Sequence, residues 1–220
     1  MKKFQPLYIA AVLGALPLTL ATKPAAAVSI VTNGGFEQPA IASGSFTIQN
    51  PIPGWSLTSD SAPDAGIEVQ NNVAGSPYEG NQFVELDGNA VSGIFQNLAT
   101  TVGQTYKLEF AFSPRPGVED NRLNVLWGGN TVANLVANGA ENYDTAWTKY
   151  VYQVVATSKI TTLRFDNLNE FSDTLGTYID NVSVTAVPEP STMGGIALCV
   201  GFGAFLKTRY SKKDKGIEKA

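Results

Sequence analysis

The middle of the chain is predicted to be all-β, a β-sandwich or jelly roll of about nine strands. Segments in which polar and apolar residues alternate, or in which β-branched residues cluster, recur along it. Turn-forming stretches such as Asp87-Gly88-Asn89 and Gly128-Gly129-Asn130 separate them. Many short strands divided by Gly, Asn, Asp and Pro are typical of these two architectures. No helical apolar stripe of useful length interrupts the strand pattern.

The predicted strands cover most of this region. In the predicted strand Thr105–Phe112, Leu108 and Phe110 alternate with Lys107 and Glu109, as expected of a strand with one buried face. The nine predicted strands are Gly66–Gln70, Gln82–Leu86, Gly93–Leu98, Thr105–Phe112, Arg122–Trp127, Thr131–Val136, Trp147–Val155, Thr161–Asn167 and Thr177–Thr185.

The first 27 residues have the features of a secretory signal peptide. Lys2 and Lys3 supply positive charge, and an apolar stretch follows over residues 7–21. Ala25-Ala26-Ala27 then provides the small residues that signal cleavage requires. The apolar stretch is shorter than the about 20 residues of a membrane span. We predict cleavage before Val28, and an uncleaved N-terminal anchor is the alternative.

Residues 28–190 are strongly acidic. They contain 17 Asp and Glu against six Lys and Arg, a net charge of −11. Such a surface repels nucleic acid and anionic lipid, so we expect neither as a partner of this region. It suits divalent cations, neutral sugars or a crowded extracellular matrix. The single cysteine, Cys199, lies in the C-terminal apolar run, so the domain is predicted to fold without disulfides.

An apolar segment and a basic cluster follow Val187-Pro188-Glu189-Pro190. Residues 192–206 carry no charge, and five Lys or Arg residues lie between positions 207 and 215. A basic cluster just past an apolar segment marks the cytoplasmic side of a membrane. We predict one membrane helix at about residues 192–206, short for a full span, with the domain outside. A buried core helix is the alternative.

Residues 187–220 resemble the PEP-CTERM sorting tail of Gram-negative bacteria, in which a Pro-Glu-Pro motif, a helix and a basic end occur in this order. The resemblance implies recognition by a membrane-embedded exosortase and processing near Pro188-Glu189-Pro190. It also implies delivery to the cell surface or the exopolysaccharide layer. The two prolines keep the segment extended and open to an enzyme, although they equally suit a stiff stalk.

Six short motifs in residues 28–186 carry a second resemblance. They look like the galactose-binding-like jelly rolls shared by many carbohydrate-binding modules. They are also similar to an uncharacterised family known from plant cell walls and bacterial surface proteins. The motifs are Asn33-Gly34-Gly35-Phe36-Glu37, Ile52-Pro53-Gly54-Trp55, Glu85-Leu86-Asp87-Gly88, Ile94-Phe95-Gln96, Tyr106-Lys107-Leu108-Glu109-Phe110 and Tyr178-Ile179-Asp180-Asn181-Val182-Ser183-Val184.

Most motif residues are predicted to build the fold. Trp55 follows a Pro-Gly turn and is expected under one end of the sandwich. Gly34 and Gly35 suggest a bulge or a close backbone approach at the first strand. The predicted core residues of the motifs and strands are Phe36, Phe83, Leu86, Phe95, Phe110 and Ile179.

The resemblance to these jelly rolls also implies a structural calcium between the first and last strands. Such sites use backbone carbonyls and one or two carboxylates, and Glu37 and Asp180 match the motif positions. Calcium takes about six to eight oxygen ligands and needs neither His nor Cys. The alternative is that Glu37 caps a turn and Asp180 pairs with the backbone.

Catalysis is poorly supported by the residues. The chain contains no histidine, which excludes Ser-His-Asp and Cys-His triads and histidine-based zinc sites. A glycosidase needs two carboxylates across a cleft, and 17 acidic residues always supply some pair. We predict a non-catalytic protein and keep a glycoside hydrolase as the lesser alternative.

A lectin-like domain that holds polysaccharide is the function favoured by the resemblance. Sugar rings stack on exposed aromatic side chains, and the candidates near predicted loops are Tyr78, Trp127, Tyr143 and Trp147. Aromatic residues at strand ends also pack inside proteins. The alternative is a structural or adhesive matrix protein without sugar binding. Retention on an exopolysaccharide gel would distinguish the two functions.

Overall fold

Residues 28–188, the part described by our computed structural model, form two antiparallel β-sheets. These residues contain no helix, and hence none that could cross a membrane. The strands are β1 (Ser45–Gln49), β2 (Ser56–Leu57), β3 (Ile67–Asn71), β4 (Phe83–Glu85), β5 (Gly93–Ala99), β6 (Thr105–Ser113), β7 (Asn121–Trp127), β8 (Asn130–Ala137), β9 (Thr148–Val155), β10 (Ile160–Asn167) and β11 (Tyr178–Ala186).

The nine predicted strands correspond to β3–β11, with each boundary within one residue of its prediction. The sequence analysis missed β1 and β2. The pattern of β1 is present, since Phe46 and Ile48 alternate with polar residues, but the strand is only five residues long. The two-residue β2 is too short to produce a pattern.

The two sheets enclose one hydrophobic core. The larger sheet has the order β1-β3-β4-β11-β6-β9, and the smaller one β2-β5-β10-β7-β8. Alternate residues of β6, namely Leu108, Phe110 and Phe112, point into the core, as the alternation predicts. Trp55 is buried beside Phe36, with a distance of 5.5 Å between ring centroids. The indole is therefore part of the core.

Two predicted core residues lie elsewhere. Phe95 is half-buried and Ile94 takes the core position, because a shift of one residue moves a side chain to the other face of a strand. Phe83 is fully buried but outside the core cluster. Since Val84 points into the core, Phe83 lies on the outer face of the larger sheet, where it packs 4.8 Å from Tyr178 between ring centroids.

Gly34 lies against the last strand. The Val182 amide donates to the Gly34 carbonyl at 2.8 Å, where β11 has a bulge between Asp180 and Ser183. A Cβ atom at position 34 would overlap the Val182 carbonyl oxygen. The predicted close backbone approach at this glycine is confirmed.

Residues 72–82, which we call the crossing loop, lie over the outer face of the larger sheet. The Tyr178 hydroxyl donates to the Ala74 carbonyl at 3.2 Å. Further along, the Ser76 amide donates to Asp144 Oδ1 at 2.8 Å, and Trp147 Nε1 donates to the Ser76 carbonyl at 2.8 Å. The loop thus spans from β11 to the residues before β9.

The connections that follow β2, β4, β6, β8 and β10 meet at one end of the sandwich, which we call the loop end. This follows from the antiparallel registers: Phe112 near the end of β6 pairs with Thr148 at the start of β9, and Ser113 pairs with Tyr178 at the start of β11. In the smaller sheet, Asp166 near the end of β10 pairs with Gly93 at the start of β5.

The segments predicted to direct export fall mostly outside the described residues. The predicted signal peptide, Glu189, Pro190 and the predicted membrane helix at 192–206 are all outside them. Val187 is described: its amide donates to the Thr105 carbonyl at 2.9 Å, and Gln104 Nε2 donates to its carbonyl at 2.7 Å. The β-sheet hydrogen bonding therefore continues up to the residue before Pro188.

Candidate functional site

A cavity of about 790 Å³ opens at the loop end, and we call it the loop-end cavity. Its walls come from the β6–β7 loop, the end of β8 and the β10–β11 loop. The lining residues are Gly117, Val118, Glu119, Asp120, Arg122, Val136, Ala137, Asn138, Asn169, Glu170, Phe171, Asp173 and Leu175. Its volume is in the range of about 300–1,000 Å³ that is usual for small-molecule sites.

The first wall is held by hydrogen bonds between two loops. The Gly117 amide donates to the Gly139 carbonyl at 2.8 Å, and the Gly139 amide donates to the Val118 carbonyl at 2.7 Å. The buried Asn121 accepts from the Arg115 amide at 2.8 Å and donates to the Val118 carbonyl at 2.9 Å. These contacts connect the β6–β7 and β8–β9 loops into one rim.

The second wall is tied to the start of β7. The Arg122 amide donates to Asn169 Oδ1 at 2.8 Å, and the Leu168 amide donates to the Arg122 carbonyl at 3.0 Å. The Glu170 amide donates to Asp120 Oδ2 at 3.0 Å. Because both walls are cross-bonded, the cavity is a preformed feature of the loop end.

The lining of the loop-end cavity combines one aromatic ring and the aliphatic side chains of Val118, Val136, Ala137 and Leu175 with carboxylate and amide groups. Phe171 is 67% exposed although it is a large apolar side chain. The only base lining the cavity, Arg122, pairs with Asp120 at 2.6 Å between Nε and Oδ1. The other lining carboxylates belong to Glu119, Glu170 and Asp173, and Asn138 and Asn169 add amide groups. With four carboxylates and one base in the lining, the cavity disfavours an anionic ligand.

Three of the four aromatic residues predicted from the sequence lie elsewhere on the surface. Tyr78 and Trp147 meet edge to face, with 6.2 Å between ring centroids, where the crossing loop reaches the residues before β9. Trp147 also packs against Phe83 at 5.6 Å. Tyr143 is fully exposed in the β8–β9 loop. None of these three rings lines the loop-end cavity.

Trp127 does not fit the prediction of an exposed ring. Its side chain is 5% exposed and belongs to the core cluster, 5.9 Å from Tyr106 between ring centroids. Its Nε1 donates to the Val155 carbonyl at 2.9 Å. The indole fills the interior and satisfies its polar atom there, so we remove Trp127 from the candidate ligand-binding residues.

Glu37 and Asp180 are brought to the same stretch of the crossing loop. Glu37 Oε1 accepts from the Asn81 and Gln82 amides at 2.7 and 3.1 Å. Asp180 Oδ2 accepts from the Tyr78 and Glu79 amides at 3.0 and 3.1 Å. The pairing with backbone amides that we considered as the alternative is therefore present at both carboxylates.

Backbone amides occupy both oxygens of Asp180, since Oδ1 also accepts from the Asn181 amide at 2.6 Å. Burial raises the pKa of Asp180 to about 7, and the nearby Glu37 carboxylate adds to the rise. Neither residue takes part in an ion pair with a described base, and no described hydrogen bond reaches Glu37 Oε2. Residues 28–188 contain no cluster of three or more acidic, His or Cys side chains able to hold a metal, so backbone carbonyls would have to complete a calcium shell.

The sequence analysis missed Phe171, Arg122 and the acidic residues of the loop-end cavity. A signal for Phe171 existed, since it is the one aromatic residue between Asn167 and Thr177, a polar segment without a strand pattern. The lining residues come from three parts of the chain, however, and only the sheet topology places those parts together.

A comparison with protein families assigns the chain. The model of the family described as "Protein of unknown function (DUF642)" matches residues 29–185. The chain belongs to the DUF642 family. The match coincides with the β-sandwich domain of this DUF642 protein and excludes both terminal segments. No curated protein matches the chain.

Solved structures similar to this DUF642 domain include three carbohydrate-binding modules. A family 35 module from Clostridium thermocellum is 13% identical, covers 65% of this chain and 99% of its own, and has a TM-score of 0.43. A family 35 module from Paenibacillus barcinonensis is 22% identical, with coverages of 66% and 100% and a TM-score of 0.39. A family 61 module in complex with β-1,4-galactotriose is 18% identical, with coverages of 72% and 99% and a TM-score of 0.44.

Proposed function

We propose that this DUF642 protein is an exported surface protein whose β-sandwich binds polysaccharide at the loop-end cavity without catalysis. The observation that carries the proposal is the exposed Phe171 ring in a cavity whose lining combines apolar side chains with carboxylates and amides. An apolar ring offers a face on which a sugar can stack. Carboxylate and amide groups beside it accept and donate hydrogen bonds to hydroxyls.

The charge of the cavity supports a neutral ligand. The lining residues include four carboxylates, of Glu119, Asp120, Glu170 and Asp173, and the single base Arg122. Because Arg122 is already paired with Asp120, it offers little net attraction to a uronic acid or a sulfated sugar. Neutral hexose or pentose chains are therefore the proposed ligand class.

Export is the second part of the proposal. The signal-like residues 1–27 and the sorting-like residues 187–220 support delivery through an exosortase to the cell surface or the extracellular matrix. The described sheet contacts end at Val187, directly before Pro188. Processing near Pro188-Glu189-Pro190 would then release the whole domain without removing a strand.

A structural calcium is the third part. Glu37 and Asp180 would hold the ion together with backbone carbonyls, and it would offset the negative charge of two carboxylates that lack a described basic partner. In this proposal the calcium stabilises the domain and takes no part in binding sugar.

A glycan array of the purified protein tests the binding function. We expect neutral oligosaccharides to be retained and Phe171→Ala to lower their affinity at least about fivefold, as loss of a stacking ring by truncation can cost more than about 1 kcal/mol. Tyr143→Ala is the matched control, since it removes an exposed ring outside the cavity. A protein that binds no glycan would contradict the proposal and favour the structural or adhesive alternative. Release of reducing sugar from a bound glycan would contradict its non-catalytic part.

A further inference from the structure

The end of the sandwich opposite the loop end carries both points at which the terminal segments join the domain, and we call it the tail end. β11 begins at the loop end and runs to the tail end, where the hydrogen bonding of the sheet continues to Val187. The N-terminal segment runs along β11 in the opposite direction. The Val182 amide donates to the Gly34 carbonyl, and the Ile30 amide donates to the Val184 carbonyl at 2.9 Å. The chain on either side of the domain is therefore attached at the tail end.

Three turns complete the tail end. They connect β5 to β6, β7 to β8 and β9 to β10, and consist of residues 100–104, 128–129 and 156–159. The first and third turns are bonded to each other, since the Gly103 amide donates to the Ala156 carbonyl at 2.8 Å and the Thr100 amide to the Lys159 carbonyl at 2.9 Å. Gln104 Nε2, in the first turn, also donates to the Val187 carbonyl at 2.7 Å. The turns thus lie beside the point at which the C-terminal segment leaves the sandwich.

The charge of the tail end differs from that of the rest of the domain. Residues 28–190 contain 17 Asp and Glu, yet none of them lies in residues 28–36, in the three turns or in residues 184–188. The one charged residue in these stretches is Lys159. At the other end of the sandwich, four carboxylates line the loop-end cavity alone. An anionic lipid surface, which the acidic remainder of the domain repels, is therefore not repelled by the tail end.

Large aliphatic side chains are exposed at the tail end. Val102, in the first turn, is 58% exposed. Val155 and Ile160, which flank the third turn, are 52% and 64% exposed. Val28 is exposed as well. Exposed apolar groups that share one surface mark a contact with another protein or with a membrane.

The length of the chain past Val187 favours the membrane as the partner. The predicted membrane segment begins at about residue 192, and the chain from Val187 to that residue spans at most about 18 Å. A domain tethered so closely keeps the tail end beside the bilayer, where its uncharged turns and aliphatic side chains meet lipid. A second copy of the chain is held by no such tether.

We propose that the tail end rests on the phospholipid surface while residues 192–206 are in the membrane, with Val102, Val155 and Ile160 among the lipid headgroups. The inference rests on the membrane segment in the proposed function and is independent of sugar binding. The tether is essential, because a few aliphatic side chains would not hold a domain of net charge −11 on a bilayer from solution. Attachment raises the local concentration of the tail end at the lipid, so that a weak contact is sufficient.

This orientation determines where the loop-end cavity lies. The nine residues of β11 rise about 3.3 Å each, so the strand separates the two ends of the sandwich by about 30 Å. With the tail end on the bilayer, the loop-end cavity faces away from the membrane.

Fluorescence of single labels on the full chain, inserted in vesicles of phosphatidylcholine and phosphatidylglycerol, tests the proposal. In a Cys199→Ser background, an environment-sensitive dye is attached at Val102→Cys or Ile160→Cys. Tyr143→Cys is the matched control, at a fully exposed side chain of the loop end. We expect emission at positions 102 and 160 to shift to shorter wavelength and to be quenched by spin-labelled lipids. The label at position 143 should show neither effect.

An added acidic side chain at the tail end should break the contact. With the dye at position 160, Val102→Asp should abolish quenching by the lipids, because the new carboxylate is repelled by phosphatidylglycerol. Tyr143→Asp adds the same charge at the loop end and should leave the quenching unchanged. A thermal melt of each variant shows that it is folded. Quenching that persists in a folded Val102→Asp variant would overturn the proposal.

The other outcomes separate this inference from the proposed function. A chain that floats with the vesicles while its labels at positions 102 and 160 stay in water would overturn the inference alone. A shift without quenching by lipid would also overturn it, since it would indicate contact with a second copy of the chain. A chain that does not float with the vesicles would overturn both the inference and the membrane segment. None of these results affects the proposed sugar site, which depends on Phe171.

Discussion

Three buried carboxylates stand out at the scale of single residues. Burial raises the pKa of Glu68 to about 7, of Glu85 to about 8 and of Asp180 to about 7. Each lies on the outer face of the larger sheet and is covered or flanked by loops. Buried acids of this kind favour the protonated form, so their ionisation weakens the folded state as the pH rises.

Glu68→Gln should reduce the pH dependence of stability. A carboxyl group whose pKa rises from 4.5 to about 7 on folding contributes stability below about pH 4.5 and loses it as the pH passes through 7. The free energy of unfolding should fall between pH 4.5 and pH 7 in both proteins. We expect the fall to be smaller by about 2–3 kcal/mol in the variant. Urea unfolding at both pH values measures this. A variant and a wild type with the same pH dependence would contradict the raised pKa.

At the scale of elements, β11 connects most of the features described above. It lies in the middle of the larger sheet, between β4 and β6. Its bulge places Val182 against Gly34, and Asp180 holds two amides of the crossing loop. The N-terminal segment and the crossing loop are therefore both anchored on the same strand.

The contact between Gly34 and β11 predicts a strong difference between two neighbouring substitutions. Gly34→Ala would place a Cβ atom on the Val182 carbonyl oxygen, and we expect a loss of about 3 kcal/mol of stability, at the upper end of overpacking effects. In Gly35→Ala the nearest atom to the new Cβ would be Glu37 Cγ at 3.9 Å, so stability should change by less than about 0.5 kcal/mol. Thermal melts compare the two variants. A similar loss in both would contradict the close approach.

The proposed calcium predicts a melting temperature that depends on the ion. An ion that binds only the folded protein adds about 2.7 kcal/mol at a hundredfold excess over its dissociation constant. The melt in millimolar calcium should therefore lie several degrees above the melt in chelator, and Asp180→Asn should remove most of that difference. Asp64→Asn, at an exposed carboxylate, is the control. Identical melts of the wild type with and without calcium would remove the site.

The elements also show what the sequence can predict. Alternation over eight or nine residues, as in β6 and β10, fixes a strand and its buried face. Very short strands and the exact buried face of a strand are harder to predict. β2 has only two residues, and Ile94 rather than the predicted Phe95 lies in the core. Glu37 and Asp180 both accept from amides of the crossing loop, and the calcium that the resemblance implies between them stays a prediction. The loop-end cavity was missed because its walls are separated by up to about 50 residues of chain, and only the topology joins them.

At the scale of the whole molecule, an acidic β-sandwich lies between two segments that we propose direct export. The domain carries most of the acidic residues, whereas nine of the 15 basic residues lie in residues 1–27 and 191–220. The two parts of the chain therefore have opposite electrostatic character. The acidic domain suits the outside of the cell, and the basic end suits the cytoplasmic face of the membrane.

Processing of both segments should be visible in the mass of the mature protein. We expect the surface-exposed form to begin at Val28 and to lack the basic residues from Lys207 onward, since both signals are removed on the way out. Intact mass spectrometry of protein released from the cell surface gives both ends at once. Recovery of mostly full-length chain from the cytoplasm, still bearing Lys212 and Lys213, would contradict export.

The central claim is that the loop end of the sandwich binds neutral polysaccharide, and amide chemical shifts of the isotope-labelled protein test it most directly. On addition of a neutral oligosaccharide selected on the array, we predict saturable shifts for residues 117–122, Asn138 and residues 169–175, which line the cavity. The Phe171→Ala variant should lose these shifts. An absence of shifts would contradict the account, because the ligand would then not bind. Shifts confined to Tyr78, Tyr143 and Trp147 would also contradict it, because the ligand would then bind at these rings outside the cavity.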